Sequence, residues 1–215
     1  MSHSLHRRGD PEELKNDYVV LITARKGVND DNAMEKIREI VDMVWEIGPS
    51  NAGSNQTGSM LSGVTPAEVK TKMETIPRVR AYFYGKEKVW QIVDHVREQD
   101  YGYSVVLQGP REIIEQDARE RGITPHSVNL SLDIWGRRDL LPEEDVLEFV
   151  TMCGHGLISA ELVKSVFTEV KSGRMSPERA VKKLAAPCVC GFFSPERALK
   201  ILQRMAPQPG EPAED

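Results

Sequence analysis

The first half of the chain alternates between short apolar runs and longer segments in which apolar residues recur at helical spacing. Three runs rich in β-branched residues predict buried strands, at residues 17–24, 79–84 and 103–108. Three segments with apolar residues three and four positions apart predict amphipathic helices, at residues 30–47, 86–99 and 110–121. The run SVNLSLDIW at residues 127–135 alternates apolar and polar side chains and therefore predicts a fourth strand.

The segment GPSNAGSNQTGSMLSG at residues 48–63 interrupts this alternation. Its glycine, serine and asparagine content is typical of a loop, which would be either a flexible connector or a polar lid that binds an anion. Asn51, Ser54 and Asn55 are therefore weak candidates for substrate binding. A helix is predicted to begin just after this loop, because a threonine and a proline provide the residue types of an N-cap and a first helical position.

In the second half, predicted helices follow one another with no strand between them. They cover residues 142–151, 159–172, 177–186 and 195–205. We therefore predict an α+β or α/β fold, with an N-terminal alternating β/α sandwich of ferredoxin-like or related topology at residues 16–138 and a small all-helical C-terminal metal-binding domain at residues 139–205. Residues 1–15 are polar and residues 206–215 are acidic and rich in proline, so both are predicted to be disordered tails.

A repeated unit stands in the helical half. The sequence CGHGLISAE begins at Cys153, and the sequence CVCGFFSPE begins at Cys188. In both, a ligand-type residue, one spacer, a second ligand-type residue and a glycine precede two apolar residues, a serine, a spacer and a glutamate. Each serine is predicted to cap a new helix. Two matching units in matching contexts are more specific than a lone C-x-C or C-x-H pair.

This unit has the properties that a metal site needs. Ligands two residues apart in a turn can approach one centre from the same side, and the glycine allows a positive φ that brings an N–H group toward the sulfur. The positive end of the following helix favours thiolate over thiol. We predict that Cys153, His155, Cys188 and Cys190 form one four-ligand metal or iron–sulfur site. The alternatives are inert core cysteines, or a Cys153–His155 nucleophile pair that would leave the second unit unexplained.

Two kinds of cofactor fit this ligand set. Three cysteines and one histidine are a common structural zinc set, although zinc sites more often separate two cysteines by two to four residues. Iron–sulfur clusters are also held by thiolates, and histidine replaces cysteine in some [2Fe–2S] sites. Pro187 before Cys188, together with the Cys190–Gly191 pair, favours an iron–sulfur cluster over zinc by a narrow margin.

Composition and charge narrow the class of protein. The chain has 215 residues, 40% hydrophobic and 28% charged, which is ordinary for a globular protein. A net charge of −5 without a basic stripe argues against a nucleic-acid partner. No apolar run approaches the roughly 20 residues that span a bilayer, and no apolar stretch follows Arg7 and Arg8 as in a secretion signal, so a cytoplasmic protein is expected. Arg137 and Arg138 are weak candidates for clamping an anionic substrate.

Three functional hypotheses follow. The first is a cytoplasmic iron–sulfur protein whose cluster serves electron transfer, sensing or substrate binding at an open iron, while the N-terminal domain binds a small molecule or a partner protein. The second is a zinc-stapled binding or assembly module without catalysis. The third is a metal-dependent lyase or hydrolase.

Overall fold

The computed structural model describes residues 7–73, 77–130 and 132–207. Within these residues the chain forms nine α-helices and a five-stranded sheet that is antiparallel throughout, so the fold is α+β. The strands are β1 (Asp17–Thr23), β2 (Asn51–Ser54), β3 (Gly58–Ser59), β4 (Arg78–Tyr84) and β5 (Ser104–Gln108). The helices are α1 (Pro11–Leu14), α2 (Ala33–Ile47), α3 (Pro66–Thr71), α4 (Glu87–Glu98), α5 (Arg111–Glu120), α6 (Glu144–Met152), α7 (Ala160–Lys171), α8 (Pro177–Ala185) and α9 (Pro195–Met205).

The strands are arranged in the order β3-β2-β4-β1-β5. The first strand lies between β4 and β5, and Val20 is opposite Ala81 of β4. On the other side of β4, Ala52 of β2 is also opposite Ala81. The short strand β3 forms a hairpin with β2, in which Gly53 is opposite Ser59.

The two faces of the sheet are covered by different helices. Side chains alternate between the faces of a strand, so Tyr18, Val20 and Ile22 share one face and pack in an apolar cluster with α2 and α4. Val19 and Leu21 share the other face and pack in a second cluster with α6, α7, α8 and α9. The helical half of the chain therefore shares an apolar core with the sheet.

The prediction of a loop at residues 48–63 is wrong, because this segment contains β2 and β3. All four residues of β2 are buried, yet they are small or polar. The Cys188–Cys190 turn packs directly on this strand, and a Cβ atom on Gly53 would lie 2.9 Å from the Val189 carbonyl oxygen. Close approach of another backbone requires glycine in the strand, so the usual β-branched signal is missing.

The prediction of a fourth strand at residues 127–135 is also wrong for the residues described there, 127–130 and 132–135, which form no strand. Their apolar side chains face solvent: Leu132 is 76% exposed and Trp135 is 80% exposed. Alternation indicates that a segment is able to form a strand, but pairing also requires a partner strand and a buried face.

Residues 7–15 are ordered, although we expected them to be part of a disordered tail. They include α1, and the backbone N–H of Arg8 donates to Thr151 Oγ1 at 3.0 Å. The side chain of Arg7 is only 5% exposed. Polar composition suggested disorder, but here it reflects a buried arginine. Residues 1–6 and most of the predicted acidic tail, residues 208–215, lie outside the described residues.

Candidate metal centre

The three cysteines lie in two turns that each join a pair of helices. Cys153 is the C-cap residue of α6 and precedes α7, while Cys188 and Cys190 lie between α8 and α9. All three side chains are free and buried, with Cys188 and Cys190 at 0% exposure. Val163, Phe167 and other helix side chains form the apolar cluster around them. The two turns thus project their thiols into the core that the helical half shares with the sheet.

The three sulfur atoms are close together. The Sγ atoms of Cys188 and Cys190 are 3.8 Å apart, and the Cys188 thiol also shares a hydrogen bond with Cys153. Tetrahedral coordination with metal–sulfur bonds of about 2.3 Å places two sulfurs on one metal about 3.8 Å apart. The spacing of Cys188 and Cys190 therefore equals that of two thiolates bound to one metal ion.

Hydrogen bonds within the cluster shift the pKa values of its thiols. Hydrogen bonding with Cys188 lowers the pKa of Cys153 to about 5 and that of Cys190 to about 6, whereas the same two contacts, together with burial, raise the pKa of Cys188. Backbone N–H groups of Leu157 and His155 also donate to Cys153, and the N–H of Phe192 donates to Cys190. These contacts favour the thiolate form of Cys153 and Cys190, which is the form of cysteine that binds metals.

His155 is half-buried and lies beside the sulfur cluster. Its charge contributes to the lowered pKa of both Cys153 and Cys190, which places the imidazole near both sulfurs. The structure therefore brings the three cysteines near one another, with His155 close enough to influence the pKa of two of them. Within the described residues, however, no three or more His, Cys, Asp or Glu side chains have the arrangement of a metal-binding group.

The glycine that ends each ligand pair has a positive φ in both turns, +67° at Gly156 and +81° at Gly191. Gly156 is surrounded by open space. Gly191 lies against β2, where an added Cβ atom would be 2.5 Å from the Gly53 nitrogen and 2.6 Å from the Ala52 Cα atom. The second turn therefore contacts the backbone of the sheet at Gly191, and Gly156 makes no comparable contact.

Side chains from the sheet hold the second turn in place. Asn51 of β2, fully buried, donates from Nδ2 to the Phe193 carbonyl oxygen at 3.2 Å. Ser194 is the N-cap residue of α9, but its hydroxyl donates to the Tyr82 hydroxyl at 2.6 Å instead of capping the helix. Ser159 does cap α7, by accepting from the Leu162 N–H at 3.2 Å. The two units thus share a backbone pattern while their serines have different partners.

Arg7 connects the two turns. Its guanidinium group donates to the Met152 carbonyl oxygen at 3.1 Å and to the carbonyl oxygen of Phe192, one on each turn. The same group donates to both carboxylate oxygens of Asp17 at 2.8 Å and lies over the Tyr82 ring, 5.3 Å from its centre. A buried guanidinium needs such paired acceptors, and here they come from the sheet and from both turns.

Asp17 also accepts a hydrogen bond from Arg197 of α9, whose side chain is almost fully buried. Arg197 donates further to the Arg8 carbonyl oxygen at 2.7 Å and lies 4.0 Å from the Glu148 carboxylate. One carboxylate on β1 therefore accepts hydrogen bonds from two buried guanidinium groups. Removal of Asp17 would leave both buried cations short of an acceptor.

The other weak substrate candidates lie in two separate places. Ser54 is buried and its hydroxyl is 2.8 Å from Thr57 Oγ1, while Asn55 is exposed and accepts from Arg80 at 3.4 Å. The exposed Arg137 and Arg138 form local ion pairs with Asp139 and Asp133, respectively. Of the five candidates, Asn51 alone has a hydrogen bond to the cysteine turns among the contacts described.

Sequence reasoning missed the supporting residues Arg7, Asp17, Tyr82 and Arg197. Local sequence does not distinguish them: the segment SPERA occurs twice, and its arginine is exposed at Arg179 but buried at Arg197. The difference arises from the position of Asp17, which the folded chain places next to α9.

No family model, curated protein or solved structure matches this chain. None of the helices in the described residues has the length and hydropathy that crossing a membrane requires.

Proposed function

We propose that Cys153, His155, Cys188 and Cys190 bind a metal, and that a single zinc ion is the occupant that best suits this set of ligand types. The observation that carries the proposal is the compact thiol cluster, in which the Cys188 and Cys190 sulfurs lie 3.8 Å apart. Lowered pKa values at Cys153 and Cys190 add two ready thiolates. Three cysteines and one histidine complete a tetrahedral set that is common in structural zinc sites.

The role that follows is a zinc staple. The ligands come from turns that join α6 to α7 and α8 to α9, so one ion would cross-link both helix pairs. The second turn is itself seated on β2 through Gly191. Zinc binding would thereby contribute directly to the folding free energy of the helical half, as in other structural zinc sites. The chain would act as a binding or assembly module.

An iron–sulfur cluster is the second candidate, and the backbone donors around the sulfurs favour it. The N–H groups of Leu157, His155 and Phe192 donate to Cys153 and Cys190. Hydrogen bonds of this kind tune the reduction potential of iron–sulfur clusters. In a [4Fe–4S] cluster each thiolate binds a different iron, so the sulfurs would have to separate, whereas a [2Fe–2S] cluster binds two ligands on one iron and fits the Cys188–Cys190 distance as zinc does. The iron–sulfur cluster is placed second because three cysteines and one histidine are a common structural zinc set.

Metal analysis of protein purified without oxygen tests the proposal. We expect about one zinc per chain and no acid-labile sulfide, in keeping with a closed structural site. Cobalt replacement should give the intense thiolate-to-cobalt absorption of a tetrahedral site, and His155→Ser should shift the cobalt bands. A brown protein with iron and sulfide would support the second candidate. Folded protein that contains no metal and takes up neither zinc nor iron would overturn both.

Three further attributes belong to this proposal. Along the chain, β1 is followed by α2, the hairpin β2–β3, α3, β4, α4 and β5, and the sheet places β2, β4, β1 and β5 side by side in that order. This arrangement supports a ferredoxin-like sheet. A cytoplasmic location suits three free thiols, which stay reduced there. A partner protein or a small-molecule ligand would bind to the sheet-bearing part of the chain.

A further inference from the structure

We infer that residues 7–10, which we name the N-terminal strap, lock the two cysteine turns together and thereby control how firmly the centre holds its metal. One part of this inference, the control of metal affinity, rests on the proposed function. The other part, in which the strap limits access to the thiols, does not require a metal.

The strap reaches both turns through Arg7. Its guanidinium group donates to the carbonyl oxygen of Met152, the residue before Cys153. It also donates to the carbonyl oxygen of Phe192, two residues after Cys190. Because one rigid, planar group makes both contacts, it fixes the distance between the two turns.

Residues of the sheet also contact the Arg7 side chain. Asp17 accepts from it at 2.8 Å, and the Tyr82 ring lies beneath it. Both supports belong to the sheet, at β1 and β4. The strap therefore fixes both cysteine turns relative to the sheet. Residues that support metal ligands orient the ligands in this way.

The remaining residues of the strap lie along α6, the helix that ends at Cys153. The Arg8 N–H donates to Thr151 Oγ1 at 3.0 Å, and the Asp10 N–H donates to Glu148 Oε1 at 3.1 Å. Gly9 has a φ of +146° and packs so closely that an added Cβ atom would lie 2.7 Å from Glu148 Oε1. The strap thus packs against α6 through several of its residues, and not through one side chain alone.

Docking of the strap and binding of metal favour the same positions of the turns, so the two equilibria are linked. Thermodynamic linkage requires that any factor by which the strap raises metal affinity is also the factor by which metal favours strap docking. Loss of a residue that supports metal ligands typically weakens metal affinity 10- to 100-fold. We expect a factor of about that size for loss of the Arg7 contacts.

Two neighbouring arginines offer a matched pair of variants. Arg7→Met removes the donors to both turns, while Asp17 keeps its bond to Arg197. Arg8→Met is the control, because among the described residues the Arg8 side chain forms an exposed ion pair with Glu144 at 3.2 Å and no hydrogen bond to either cysteine turn. Arg7→Lys retains the charge but has one nitrogen in place of the two that bond Asp17 and the pair of carbonyl oxygens at the same time, and it serves as the test variant if Arg7→Met does not fold.

The first measurement is the transfer of zinc from each full-length protein to a chromogenic chelator, with affinity obtained by competition. Arg7→Met should bind zinc about 10- to 100-fold more weakly than wild type, and Arg8→Met should equal wild type. The second is the reaction of the three thiols with a disulfide reagent in reduced, metal-free protein. This reaction should be faster in Arg7→Met than in Arg8→Met.

A third measurement tests the linkage itself, in the Arg8→Met protein. Trypsin can cut after Arg7 only when that side chain leaves its buried position, so release of the fragment 1–7 reports strap opening. Zinc should slow this release by the same factor that Arg7→Met weakens zinc affinity.

The outcomes separate the two proposals. A wild-type protein that binds no metal, but whose thiols react faster in Arg7→Met, would refute the metal and retain the strap. A protein that binds zinc equally well as Arg7→Met and Arg8→Met, with equal thiol reactivity, would refute the strap and retain the metal.

Discussion

Replacement of Gly191 by alanine isolates the contact between the second cysteine turn and the sheet. A methyl group at this position would lie 2.5 Å from the Gly53 nitrogen and 2.6 Å from the Ala52 Cα atom, both backbone atoms. Carbon atoms pack best at about 3.5–4.0 Å, so the turn must move by about 1 Å. Forced displacements of this kind typically cost about 1–3 kcal/mol, in addition to about 1–2 kcal/mol for alanine at positive φ.

The repeat supplies its own control in Gly156, which has the same role in the first turn and a similar φ of +67°. A methyl group there meets nothing within 4 Å. Gly156→Ala should therefore cost only the backbone term of about 1–2 kcal/mol. The difference between the two variants, about 1–3 kcal/mol, measures the seating of the turn on β2.

The assay is urea denaturation of both metal-free variants under reducing conditions, followed by circular dichroism. Gly191→Ala should unfold at clearly lower urea than Gly156→Ala, with an unchanged slope. Equal destabilisation of the two variants would refute the close packing of the Cys188–Cys190 turn on β2. An unfolded Gly191→Ala protein beside a folded Gly156→Ala protein would support it.

Three further predictions concern the thiols and the exposed segment. Cys188→Ser should lose bound metal and lower the midpoint of thermal unfolding, and a variant with full metal content and wild-type thermal stability would contradict the shared site. In metal-free protein, the lowered pKa values of Cys153 and Cys190 should make stability rise with pH from about 5 to about 8.5, the unfolded thiol pKa, and fall above it because the Cys188 pKa is raised. Urea midpoints of unfolding measured across this pH range test the prediction. Midpoints that do not change with pH would contradict it. Trp135, which is 80% exposed, should be quenched freely by acrylamide, and Trp135→Phe should remove that fluorescence with a stability change within about 0.5 kcal/mol. Shielded Trp135 fluorescence would mean that the segment docks on another surface.

The helices could be predicted closely because their start signals are local. The prediction for residues 195–205 coincides with Pro195–Met205, where a serine and a proline mark the first turn. The prediction for residues 177–186 differs from Pro177–Ala185 by one residue. The first strand was predictable for a similar reason, since its run of β-branched residues is buried on both faces.

The sheet could not be predicted in full, because two of its features depend on distant parts of the chain. Gly53 of β2 is closely approached by the backbone of β3 and by the cysteine turn, and nothing in residues 51–54 alone indicates a strand. Residues 127–135 have the alternation of a strand, but the described residues in this segment pair with no other strand. Propensity in strands reflects packing against neighbours, which a single segment cannot specify.

The candidate site was likewise predictable only in part. The repeated unit predicted one site formed by Cys153, His155, Cys188 and Cys190, and the structure places the three cysteines of that set near one another in the core. The four-ligand site itself stays a prediction. The residues that support this cluster were not predictable. Arg7 is separated by 145 positions from Met152 and by 185 from Phe192, and no local pattern marks it as buried.

That separation in sequence also has a consequence for biosynthesis. Ribosomes add roughly 5–20 residues per second, so Phe192 emerges on the order of 10–40 seconds after Arg7. During this interval Arg7 lacks one of its two carbonyl acceptors, and the first cysteine turn lacks the sulfurs of the second. If the centre binds a metal as proposed, its thiols therefore remain open to a metal donor until Phe192 has been added. Docking of Arg7 would then close the proposed centre, so a cell short of the metal during translation would accumulate folded chains that load slowly afterwards.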